Sequence, residues 1–218
     1  MAHSVSTSSQ AQEELGIPEW QRAHGQAAAA AHPVWGTSIR FTILTTLLLG
    51  LGYPLLMTGL AQMLFPRQAN GSLILKNGQV IGSELIAQSF TADQYFHPRP
   101  SAAGNGYDAT ASGGSNLAQS NAKLARRMQA DIDKLAAANG GKPVPIDMVT
   151  SSASGLDPDI TPDNALYQAQ RVATARRMSV EAVRALIASH REGRSLGVFG
   201  EPRVNVLELN LALDAAGR

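Results

Sequence analysis

The sequence predicts an α+β protein: one N-terminal transmembrane helix followed by a single mixed α/β soluble domain. Three observations carry this expectation. An uncharged apolar run, FTILTTLLLGLGYPLLMTGLAQMLFP (Phe41–Pro66), stands between Arg40 and Arg67. Two short β-prone runs flank Asn77-Gly78 just beyond it. The remainder sets helix-period apolar stripes between turns rich in Gly and Pro, with no internal repeat. The expected divisions are a disordered tail over 1–37, the transmembrane helix over 38–66 and the soluble domain over 67–218.

A hydrocarbon core takes about 20 apolar residues as helix, so the run is long enough to span with some tilt. Gly59-Leu60-Ala61 offers small residues suited to cleavage. Signal cores, however, hold about 7–15 residues and lie close to the N-terminus, so a retained anchor is expected. Tyr53-Pro54 should bend the helix, because proline removes a backbone donor and clashes with the preceding turn. Thr42, Thr46 and Gly50 recur every four residues. Together with Pro54 they mark a face that lets a partner helix approach closely, although Gly and Pro are also common in membrane helices without such a role. Arg22 and Arg40 before the run are matched by Arg67 and Lys76 after it, so flanking charge does not set the orientation. The Ser-rich start and the Ala27–Ala31 run of the tail lack apolar periodicity, which favours disorder over a short helix there.

The domain opens on SLILKNGQVIGS (Ser72–Ser83), where Asn77-Gly78 suits a type I′ hairpin turn. Pro98 to Asn121 holds six Gly or Pro residues and reads as a long ordered loop. Asn121–Ala138 is predicted as an amphipathic helix with Leu124, Met128, Ile132 and Leu135 on one stripe and Arg127 paired with Asp131. Asn139-Gly140-Gly141 ends it, and Val144–Thr150 is a strand candidate. Thr161-Pro162 starts the next helix, with Leu166, Ala169, Val172 and Ala173 inward. Ser179 caps another, with Val183, Leu186 and Ile187 inward and Gly193 beyond its end. In VNVLELNLAL (Val204–Leu213) the leucines alternate, which favours a half-buried strand, although Leu and Ala also form helix well.

Charge and residue types exclude several classes of function. With 18 basic and 17 acidic residues and no basic cluster, nucleic acid is not an expected partner. The absence of cysteine excludes disulfides, thiol catalysis and zinc–thiolate sites. No phosphate loop, dinucleotide fingerprint or nucleophile elbow occurs. Ser115, His190 and Asp157 make a hydrolase triad only on paper, and His190 near a helix end fits a carbonyl cap better. Asp157, Asp159 and Asp163 lack the glycine and terminal glutamate of a calcium loop and fit turns and caps. Ser112-Gly113-Gly114-Ser115-Asn116 reads as a tight turn more readily than as an anion nest. No catalytic residue and no metal ligand is expected.

Four segments remain, and with YPLLMTGLAQMLFP (Tyr53–Pro66) they resemble one family. They are VIGSELIAQSF (Val80–Phe90), Arg99–Asn121 with its RPSAAG and SGGSNLAQSN, VTSSASGLDPDITPDNALYQAQRVATAR (Val149–Arg176) and HREGRSLGVFGEPRVNVLELNLALD (His190–Asp214). In order and spacing, from about Ile39 to Asp214, they resemble the KdpC family, the C subunits of Kdp potassium-transporting P-type ATPases. The resemblance implies a single-pass protein of the bacterial inner membrane, N-terminus cytoplasmic and soluble domain periplasmic, in contact with membrane lipid. It implies three protein partners: a potassium-conducting subunit, a catalytic P-type ATPase subunit and a small single-helix subunit. The chain has no D-K-T-G motif to phosphorylate, so the implied role is accessory and non-catalytic. The family is also described as a catalytic chaperone that raises the ATP affinity of the catalytic subunit. By position, Gln168 looks like its nucleotide-binding glutamine. Arg171 then either meets a phosphate or pairs with a carboxylate such as Asp163 or Glu181. ATP is thus the one ligand implied, with no covalently bound cofactor, and a periplasmic domain would not meet cytoplasmic ATP. Gln170 stands where the family usually has proline, so the helix is expected to continue there. The alternative is a stand-alone membrane-anchored extracytoplasmic ligand-binding module or hydrolase.

Overall fold

The computed structural model describes residues 34–217, so the predicted tail, with its Ala27–Ala31 run, lies outside the described residues up to residue 33. The chain divides into two units, Met1–Leu64 and Phe65–Arg218. The described residues of the first form one helix, Val34–Leu64, of 31 residues, long and apolar enough to cross a membrane. It comprises α1 (Val34–Thr45), a wide-wound stretch Thr46–Gly52 and α2 (Tyr53–Leu64). The effect of Pro54 is one of winding. The Tyr53 amide reaches back five residues to Leu48 O, the π pattern, because the proline that follows has no N–H and interrupts the regular ladder. No residue of this helix is buried.

In the second unit, α3 (Pro66–Ala69) leads into β1 (Leu73–Lys76) and β2 (Gln79–Ser83). These pair antiparallel with Lys76 opposite Gln79, and Asn77 and Gly78 take φ of 54° and 78°, as the predicted turn requires. No strand or helix follows until α4 (Ala122–Ala138), whose first turn is capped by Asn121 Oδ1 accepting from Lys123 N at 2.8 Å. The long loop before it is nevertheless ordered. Ser101 Oγ donates to Gly155 O at 2.6 Å and accepts from Tyr107 N at 2.8 Å, while Tyr107 Oη donates to Arg99 O at 2.9 Å. Gly155, at φ 67°, has no room for a Cβ, which would stand 2.6 Å from Gly113 O.

A three-stranded antiparallel sheet runs in the order β3 (Asp159–Ile160), β5 (Arg203–Asn205), β4 (Arg191–Glu192). Against it lie α5 (Pro162–Arg176) and α7 (Val206–Ala216), and α6 (Val180–Ser189) packs on these two helices. Thr161 Oγ1 and Ser179 Oγ cap α5 and α6 as predicted, and α5 continues unbroken through Gln170. The core gathers Phe96 with Ile160, Val172, Val183, Val204, Leu209 and Leu213. Each such side chain contributes about 1.5–3 kcal/mol by leaving water.

Four expectations are corrected. Val204–Leu213 is a strand only as far as Asn205; Val206 begins α7, because Asn205 Oδ1 accepts from Glu208 N and caps a helix. Val206, Leu209, Asn210 and Leu213, buried together with Leu207, then follow the helix period, not the alternation. Val144–Thr150 is not a strand: Ile146–Met148 makes a single tight helical turn after Pro145. Leu166 is 46% exposed, and Ala165 takes its place on the inner face of α5. Arg127 does not pair with Asp131; its Nη2 donates to Val149 O, and the i,i+4 bond on α4 joins Gln129 to Asp133.

Candidate functional site

The residues singled out on α5 hold a single segment, 93–97, which begins in a turn closed by Tyr95 N donating to Ala92 O at 3.0 Å. Gln168 is 3% exposed. Its Oε1 accepts from His97 N at 2.8 Å and from Arg171 Nη2 at 2.6 Å. Its Nε2 donates to His97 O at 3.0 Å and to Asn164 Oδ1 at 2.7 Å. Both acceptor positions and both N–H groups of the amide are therefore committed inside the domain. Asn210 on α7 repeats the arrangement one residue earlier: it accepts from Phe96 N at 2.8 Å and donates to Phe96 O at 3.0 Å.

Arginines complete the set. Arg171 donates through Nη1 to Asp93 O at 2.6 Å and through Nη2 to Tyr95 O at 3.0 Å. Arg176 Nε donates to Gln94 O at 2.6 Å; its Nη2 bonds to Asp214 Oδ1 at 2.8 Å, and its guanidinium lies 4.9 Å from the Tyr95 ring centre. Five successive carbonyls, residues 93 to 97, are thus bound by side chains instead of a neighbouring strand. The segment runs where no sheet partner reaches it, so its buried polar groups need these donors.

A polar chain extends this cluster along α5. Asn164 Nδ2 donates to Asp147 Oδ2 at 2.9 Å, and the same oxygen accepts from Thr161 N at 2.8 Å. Asp147 is buried and its Oδ1 is unpaired. Arg171 does not pair with Asp163 or Glu181; the carboxylate nearest in kind is Asp93, at 3.8 Å. Burial pulls the Arg171 guanidinium below its usual value, with Asp93 opposing. His97 is also lowered, first by burial and then by the Arg171 charge, against the pull of Ala92 O and Asp93.

Beside this cluster is a cavity of about 440 Å³. Leu135, Ala138, Met148 and Tyr167 give it apolar walls, and His97, Gln168 and Arg171 form a polar side. The sequence singled out Gln168 and Arg171. It missed Asn210, Arg176, Asn164 and His97. An Asn within the apolar run VNVLELNLAL was the available signal, because a polar residue there must be satisfied or exposed.

The other predicted groups stand elsewhere. Asp157 pairs with Arg99 at 2.9 Å and His190 Nδ1 lies 2.9 Å from Leu186 O, so neither is directed to Ser115 by a hydrogen bond. Gly113 N donates to Ser154 O at 2.8 Å and Ser112 Oγ to the same oxygen at 3.0 Å, which makes that segment a clasp between two loops instead of a self-contained turn. Asp157 Oδ1 accepts from Asp159 N, and Asp159 pairs with Arg203 at 3.1 Å, with burial raising its carboxyl above the usual value. On the apolar helix, Thr42, Thr46, Gly50 and Pro54 are exposed. A Cβ on Gly50 would stand 3.8 Å from Thr46 Cγ2, so these two share a face through the wide-wound stretch.

Comparison with known proteins covers nearly all described residues. The family model described as KdpC, K+-transporting ATPase, c chain, matches residues 35–215. The potassium-transporting ATPase KdpC subunit of Koribacter versatilis is 58% identical over 178 residues, covering 82% of this chain and 92% of that protein. Its counterpart in Acidobacterium capsulatum is 60% identical over 180 residues, covering 82% and 96%. With so long a match at such identity, the chain belongs to the KdpC family, the c chains of K+-transporting ATPases.

Proposed function

We propose that this chain is a non-catalytic accessory subunit of an ATP-driven, high-affinity potassium uptake complex. It crosses the bacterial inner membrane once, N-terminus in the cytoplasm and folded domain in the periplasm. It assembles with a potassium-conducting subunit, a catalytic P-type ATPase subunit and a small single-helix subunit. The observation that carries this reading is the family match over 35–215, which includes the spanning helix. Phosphoryl transfer falls to a partner, since no D-K-T-G motif occurs here. Thr42, Thr46, Gly50 and Pro54 are the proposed contact with a partner helix, where small side chains admit close packing.

The proposed effect on the catalytic subunit is a raised affinity for ATP. The cavity beside Gln168 and Arg171 supports a ligand-linked role for this region. Because the Gln168 amide is fully engaged, its proposed contribution is to position the His97 backbone and Arg171, not to bind nucleotide itself. With the domain in the periplasm, the effect reaches the nucleotide site through the assembly.

The test is purification of the full chain through a cleavable tag from membranes. A subunit carrying D-K-T-G is expected to co-purify, and its consistent absence overturns the reading. In the purified complex, Gln168→Ala should raise the apparent KM for ATP several-fold at an unchanged saturated rate. An unchanged KM removes Gln168 from the nucleotide effect.

A further inference from the structure

Three of the most exposed apolar side chains of the domain stand together. Leu196, Val198 and Phe199 are 89%, 68% and 65% exposed. They form the tip of the hairpin that joins β4 to β5. The tip is ordered: Ser195 N donates to Phe199 O at 2.8 Å, and Phe199 N donates to Ser195 O at 2.9 Å. Below it, Arg194 Nη2 bonds to both Glu201 carboxylate oxygens at 2.8 Å. Arg203 binds Glu192 at 2.6 Å and Asp159 at 3.1 Å.

Leu196 sits at φ 52°, the left-handed region that costs a residue with a Cβ free energy. A glycine there would relieve the backbone, and a polar side chain would suit the exposure. The chain instead holds a strained leucine in water, and no contact of its own offsets either cost. A binding partner would offset both, and a tip already fixed in shape loses little freedom on docking.

We infer that the Leu196–Phe199 tip is a docking knob for an apolar cleft on another protein subunit of the ATPase. The charges favour protein over lipid. Membrane-surface segments set apolar side chains beside free basic groups that meet anionic headgroups. Here Arg194 and Arg203 are neutralised, and the Glu201 side chain is 76% exposed beside the tip. A second copy seated in a cavity elsewhere on the domain would make a head-to-tail contact, which closes only where its rotation generates a ring.

The inference rests on the assembly proposed above, and the experiment separates the two. The chain has no cysteine, so Val198→Cys places a single thiol at the tip and leaves Leu196 and Phe199 intact. Maleimide labelling of that thiol is followed by peptide mass spectrometry in the assembled complex and in the full chain alone in neutral-lipid nanodiscs. Labelling should slow about tenfold or more in the complex only. Adding Leu196→Ser and Phe199→Ser should restore labelling and reduce recovery of the chain with the complex, at an unchanged melting temperature. Equal labelling in both states overturns the inference alone. So does slowing in nanodiscs without partners, which would indicate lipid, or slowing that grows with the concentration of the chain alone, which would indicate a second copy. Failure of the unsubstituted chain to assemble overturns the proposed function as well.

Discussion

A primary amide presents an N–H donor and a C=O acceptor side by side, as a peptide unit does. Gln168 and Asn210 use this likeness to stand in for a missing strand along His97 and Phe96. Gln168→Glu keeps the size and the acceptors but removes both N–H donors, leaving His97 O and Asn164 Oδ1 unpaired. It should cost about 2–3 kcal/mol, as should Asn210→Ala. Urea denaturation of the two variants checks this, and a wild-type midpoint for either would refute it. His97 adds a pH dependence at the same place. Its folded pKa lies below the ordinary 6.5, so as pH falls the unfolded chain takes up the proton first. Its contribution to stability is therefore complete above 6.5 and declines as pH falls from there toward the folded value. The urea midpoint should drop between about pH 7.5 and about pH 5.5, by less in His97→Gln. Gln168 and Arg171 were legible as residues of interest through resemblance alone. Their partners were not, because His97 is 71 residues from Gln168 and Phe96 is 114 from Asn210.

At the scale of elements, local signals with a stereochemical mechanism were readable. Asn77-Gly78 specifies a turn by its positive φ values, and Thr161-Pro162 and Ser179 specify helix starts by their capping oxygens. α7 was misread because its leucines alternate over a span that also fits helix, and the deciding residue is Asn205. As part of β5, Asn205 is also tied down by its Nδ2 donating to Glu84 O at 2.9 Å. The two readings of this segment predict different costs. In a strand, Leu209 and Leu211 share one face and matter alike. In the helix, Leu209 is fully buried and Leu211 only half-buried. Leu209→Ala should cost about 3 kcal/mol and Leu211→Ala about 1 kcal/mol, read from thermal or urea melts. Equal losses would favour the strand.

For the whole molecule, the two units ask different questions. The long apolar helix buries none of its side chains, so among the described residues nothing selects its face. A partner would. Gly50→Leu, placed beside Thr46, should leave the folded domain's melting temperature unchanged and lower the recovery of the other subunits several-fold in a pull-down of the full chain. Undiminished recovery would move the proposed contact off this face.

The sequence by itself determined one helix long and apolar enough to cross a membrane, the family and the lack of a phosphorylation motif. A run of apolar residues, a set of ordered segments and a missing D-K-T-G are properties of the chain read in one dimension. It also determined the hairpin and the helix starts, because caps and turns act over three or four residues. Only the tertiary structure decided what Gln168 touches, that Asn210 is its counterpart and that Leu196 to Phe199 project from a braced hairpin. Each of these depends on groups far apart in sequence meeting, or failing to meet, in the fold. Burial and hydrogen-bond satisfaction are settled by such meetings and leave no local pattern to read.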